Sequence, residues 1–104
     1  RQIQDVVMHQ FDVVKLADGS LAILIQADLL DVFRTRVVAP LFLAQGVEAT
    51  PKLHPTFKIG KQTYILAVEQ LGAVFARDIA RVIHSAKDRE WDIRRALDLV
   101  LVGV

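Results

Sequence analysis

The apolar residues change period once along this chain, and that change constrains the fold more than any other feature. Before residue 84 they fall in short β-prone runs separated by turn chemistry; from Ser85 onward they repeat at helical spacing. Residues 11–16 and 21–26 flank Asp18-Gly19-Ser20, where glycine is free to take positive φ, and this predicts a first hairpin. Residues 56–59 and 62–68 flank Gly60-Lys61, a two-residue connection with glycine first, as a type II′ turn demands. Between these hairpins Phe33, Thr35 and Val37 share one face and Arg34, Arg36 and Val38 the other, which predicts a strand that Pro40 ends or edges. Residues 29–31 read as a short apolar corner and 41–50 as ambiguous, while Pro51 and Pro55 stiffen a loop around His54. Residues 73–76 follow Gly72 as another strand, and 79–83 fit a strand or a helical turn.

A helix is expected over 85–102. The Ser85 hydroxyl is placed to cap it, Asp88 lies near its positive end, and Gly103 stands where a helix-terminating glycine belongs. Ile93, Leu97, Val100, Leu101 and Val104 fall on one face, with Leu99 and Val102 off it, so a second surface must cover the remainder. Trp91 is expected to pack in the core or between helix and sheet, with a dimer contact or a binding anchor as the alternatives. Strands first and a helix last predict a mainly β domain: a small, strongly bent antiparallel sheet or open barrel with one C-terminal helix alongside.

At 104 residues the chain makes one domain, and it contains no cysteine, so disulfides, thiolate nucleophiles and cysteine metal sites are excluded. No apolar run reaches membrane-spanning length. The formal charge is +1 with acids and bases interspersed, which argues against nucleic acid as the main partner, and the lack of cysteine suits a reducing cytoplasm. An apolar fraction of 53% is high for this size and predicts an exposed apolar patch or a homodimer. Residues 1–7 are polar, precede the only methionine, Met8, and read as an extension ahead of a domain spanning 8–104.

Little in the chain supports catalysis. His9, His54 and His84 lack metal-ligand spacing, Ser20 sits in a turn, Ser85 is explained by capping, and the glycines form no phosphate loop; no metal or cofactor is expected. Arg89, Arg94 and Arg95 make a basic patch on the helix, but Glu90, Asp92 and Asp98 dilute it, so surface charge pairing is the expected role. The helix runs into Val102, Gly103 and Val104 with no polar tail, which predicts an interaction surface there.

Several segments, in order, resemble the CcdB family of bacterial toxins. They are Gln10-Phe11, Gln26-Ala27-Asp28-Leu29-Leu30-Asp31, residues 34–41, residues 53–60 with Leu53, Pro55 and Ile59, and the helix from Arg89 to its end. The resemblance implies an SH3-like barrel with a C-terminal helix, a homodimer, a CcdA-like antitoxin partner, and non-enzymatic poisoning of the DNA gyrase A subunit. It also implies that Val102, Gly103 and Val104, with Asp98 on the same helix and Leu29 as support, contact gyrase. Ala27 replaces a serine of the family, Asp98 an amide, and Val102 the tryptophan of its best-known member, which removes a stacking anchor. Two alternatives accompany this reading. One is a retargeted or inactive relative; the other is a ribonuclease of the same fold, like MazF and Kid, with Arg34, Arg36, Asp28 and His54 supplying charge and base. Against the second, Arg34 and Arg36 fit the solvated face of a strand.

Overall fold

A computed structural model describes residues 7–30, 32–45 and 50–103. Among these residues seven strands precede one α-helix: β1 (Asp12–Leu16), β2 (Leu21–Leu24), β3 (Thr35–Leu43), β4 (Thr56–Ile59), β5 (Gln62–Leu66), β6 (Gly72–Phe75), β7 (Ile79–Ser85) and α1 (Glu90–Leu101). Most of the expected extension, residues 1–6, lies outside the described residues, as do Asp31, residues 46–49 within the ambiguous stretch, and Val104.

All pairings are antiparallel, in the order β4-β5-β3-β2-β1-β7, with β6 added on β3. The β1–β7 ladder slips twice, at Val13/Val14 and at Lys15/Leu16. Each slip lets one strand bend and twist more than its partner, and the sheet curls into a half-barrel. Both expected hairpins form. Gly19 takes φ +90°, and Gly60 takes φ +63° in the two-residue connection closed by Ile59 opposite Gln62.

Pro40 does not end its strand. Val38 pairs with Gly72 of β6 and Leu41 with Leu66 of β5, so Pro40 lies where β3 exchanges one neighbour for the other. Its carbonyl accepts from Ala67 N at 2.9 Å, so its backbone points to this junction and away from β2, where a missing N–H breaks no ladder bond.

β1 and β2 are apolar on successive residues because both faces of the sheet are covered. Val13 and Ile23 join Phe11, Ala39, Leu66, Val68, Ile93 and Ala96 in the larger core, between the sheet and α1. Val14, Ala22 and Leu24 join Val38 and Ile79 in a smaller core on the opposite side. Phe11 connects these parts. Its side chain is buried, its N–H donates to Leu24 O at 2.6 Å, and its carbonyl accepts from Ala86 N at 2.8 Å. It holds φ +70°, a left-handed conformation that disfavours a bulky residue and is retained here by burial and both backbone bonds.

The helix starts later than its cap signal predicts. Residues 79–85 form a strand throughout, Ser85 pairs with Asp12, and its hydroxyl accepts from Lys87 N at 3.1 Å. Cross-strand pairing keeps Ser85 extended, and a 3-10 turn, Lys87–Arg89, leads into α1 at Glu90. The face expected to pack is also shifted. Ile93 and Ala96 are buried with Leu97 and Val100 packed beside them, whereas Leu101 is 69% exposed. Trp91 is 74% exposed, contrary to the expected core role, because it lies off this stripe.

Candidate functional site

The C-terminal end of α1 is built on one carbonyl. Asp98 O accepts from Val102 N at 2.8 Å and from Gly103 N at 3.0 Å, and Gly103 takes φ +81°. A Cβ at Gly103 would meet nothing within 4 Å, so its dihedral rather than internal crowding calls for glycine. Val102 is 68% exposed, and the Asp98 side chain is exposed on the preceding turn. The fold therefore gathers Asp98, Val102 and Gly103 at one solvent-facing helix end. Val104 lies outside the described residues.

Leu29 belongs to a different element. It is 86% exposed on a 3-10 turn, Asp28–Leu30, between β2 and β3, so the expected apolar corner faces solvent. The link from this turn to the helix is indirect: Gln10 N donates to Asp28 Oδ1 at 2.6 Å, and the ring of the next residue, Phe11, lies 5.6 Å from the Arg94 guanidinium.

The four residues named for ribonuclease chemistry are engaged separately. Asp28 serves Gln10 and stands 3.6 Å from His9. Arg36 donates to the carbonyls of Phe33 and Thr35. Arg34 is exposed at the foot of β3, where its carbonyl accepts from Ala76 N at 2.7 Å. His54 Nε2 lies 3.0 Å from both Glu69 oxygens, and His54 Nδ1 accepts from Thr50 N at 3.1 Å.

Sequence reasoning missed two grooves along the outer side of α1. One lies between the Pro51–Pro55 turn and the start of the helix, with Lys52, His54, Thr56, Arg89, Asp92 and Arg95 among its lining. The other runs along the helix past Trp91, Arg94, Arg95, Leu97, Asp98 and Leu101. Arg89 fixes the first: it pairs with Asp92 at 2.8 Å, donates to Thr56 O at 2.9 Å, and lies 4.5 Å from the Phe57 ring centre. Arg94 pairs with Glu90 at 3.0 Å. The expected charge pairing thus holds for two of these arginines, while Arg95 makes no ion pair among the described residues. The signal available in the sequence was the placement of Trp91 and Arg95 four residues apart on one side of the helix. Among the described residues no cluster of three or more histidine and acidic side chains could hold a metal ion, and no helix is long and apolar enough to cross a membrane.

The fold is shared with solved toxins. An endoribonuclease in complex with its cognate antitoxin from Mycobacterial species superposes with a TM-score of 0.73 at 10% identity, covering 91% of this chain and 95% of that one. The Mycobacterium tuberculosis toxin MazF-mt6 gives 0.71 at 11% identity over 88% and 95%. A MazE-MazF structure from Deinococcus radiodurans gives 0.70 at 14% over 91% and 96%. At these identities the likeness is one of fold. No curated protein matches the sequence. A family model described as CcdB protein, however, matches residues 10–103, from the residue before Phe11 to the helix-terminating glycine. The chain belongs to the CcdB family.

Proposed function

We propose that this chain is the toxin of a toxin-antitoxin pair and acts, without catalysis or cofactor, by binding the A subunit of DNA gyrase and trapping the enzyme on cleaved DNA. Family membership over residues 10–103 supports the toxin-antitoxin reading and is the observation that carries it. The contact surface is the end of α1, Val102, Gly103 and Val104 with Asp98, supported by Leu29. The exposure of Val102 and Leu29 suits that role, since apolar residues held in solvent gain most from a partner. A valine at 102 supplies less contact area than tryptophan would, so affinity rests more on the backbone of Gly103 and on Asp98.

The active species is a homodimer in the cytoplasm, neutralised by a CcdA-like antitoxin. Leu99 is only half-buried within the chain and Val102 on the same helix is exposed, which suits a symmetric apolar contact. Solved relatives in the fold are found with antitoxins, including MazE with MazF, which agrees with a partner of that kind.

Deleting residues 102–104 tests the site. Gyrase-mediated DNA cleavage trapping should be lost, because hot-spot residues are worth about 2 kcal/mol or more each. Folding stability should change by no more than roughly 0.5 kcal/mol, apart from any dimer contact. A truncated protein that still traps cleaved DNA would refute the site. RNA cleavage by the purified protein, lost on substituting Arg34 or Arg36, would replace the gyrase reading with the ribonuclease one.

A further inference from the structure

The groove beside the start of α1 has a composition that the gyrase reading does not use. Three cations, Lys52, Arg89 and Arg95, line it against one acid, Asp92, and that acid is already paired with Arg89. Lys52 and Arg95 make no ion pair among the described residues. The floor is stiff: Pro51 and Pro55 bound the turn, and His54 is fixed through both ring nitrogens, by Thr50 on one side and Glu69 on the other. An excess of positive charge on a preformed surface is suited to an anion.

Arg95 also lines the second groove, where Trp91 stands 74% exposed. Positions four apart on a helix are neighbours, with Cβ atoms about 5–6 Å apart, comparable to the span from a nucleotide's phosphate to its base. An acidic peptide could satisfy the cations but would leave the flat face of Trp91 without a matched partner, whereas a nucleobase stacks on it and every base has such a face. We propose that this surface binds single-stranded nucleic acid, with a backbone phosphate seated among Lys52, Arg89 and Arg95 and the adjoining base stacked on Trp91.

Lys52, Arg95 and Trp91 lie outside the residues given to the gyrase contact, so their variants test this assignment separately, although Asp98 of that contact also lines the Trp91 groove. Trp91 is the chain's one tryptophan, so its emission reports stacking directly. Short oligouridylate and oligodeoxyuridylate titrated into the full-length protein at low salt should both quench that emission, and a difference between them measures the contribution of the ribose 2′-hydroxyl. Binding should weaken with salt, with a log–log slope of about −0.7 for each phosphate neutralised. Lys52→Gln and Arg95→Gln should each reduce affinity and flatten that slope. Trp91→Ala, followed with a fluorescein-labelled strand, should bind about tenfold more weakly. All three side chains are exposed, so an unchanged circular dichroism spectrum is expected for each variant.

Unaltered Trp91 emission on adding either strand would overturn the proposal. Wild-type affinity in both charge variants would do so equally. Polyglutamate that quenches and competes as well as the oligonucleotides would identify an acidic-peptide surface instead.

Discussion

His54 Nε2 stands 3.0 Å from both carboxylate oxygens of Glu69, while its Nδ1 accepts the Thr50 amide. A backbone amide can only donate, so in the neutral ring the proton sits on Nε2 and points at Glu69. The imidazole therefore holds the turn before β4 against the 3-10 turn Val68–Gln70. His54→Ala is expected to destabilise the protein by about 1–2 kcal/mol in urea unfolding and to speed hydrogen exchange at Thr50. Unchanged exchange there would show that the turn holds its shape without the ring.

Asp18 carries a pH dependence whose sign is fixed by its partners. Ser20 donates to Asp18 Oδ1 through its hydroxyl at 2.6 Å and its backbone amide at 2.9 Å, and these bonds hold the carboxyl below its ordinary value. The charged form is the one favoured by folding, so its contribution is complete above the unfolded pKa, about 4, and disappears as pH falls through the lower folded value. Ser20→Ala should move the Asp18 titration upward in a carbon-detected NMR experiment.

Two aromatic residues should respond oppositely to truncation. Phe11 is buried against both the sheet and α1, so Phe11→Ala is expected to lose about 3–5 kcal/mol. Trp91 is largely in solvent, and Trp91→Ala should fall within roughly 0.5 kcal/mol of wild type in chemical denaturation.

Gly103→Ala isolates the conformational role of the helix end. At φ +81° an alanine is strained by roughly 1 kcal/mol, yet its Cβ meets no atom within 4 Å inside the chain. Thermal stability should therefore fall slightly, while gyrase trapping falls further if the partner approaches the backbone here. Equal losses in both measurements would confine this glycine to a structural role.

The sequence made the local chemistry legible, including the Gly19 and Gly60 turns, the strand runs and the terminating Gly103, because each depends on neighbouring residues. It misled wherever tertiary pairing overrode a local signal. Ser85 has cap chemistry but is held in β7 by Asp12, and Pro40 has terminator chemistry but faces a junction. The helix was expected to bury a face containing Leu101, whereas the stripe through Ile93, Ala96, Leu97 and Val100 is the one that meets the sheet. Of the expected gyrase contacts, sequence spacing predicts that Asp98, Val102 and Gly103 share one helix end. It says nothing of where Leu29 lies relative to them, because that depends on how the sheet curls.

Pro40 gives the sheet a property that side-chain packing alone would leave open. β5 and β6 claim the same side of β3, and ordinarily each of two such strands can lengthen at the other's expense. With no amide hydrogen to offer at residue 40, the border between their territories is written into covalent structure.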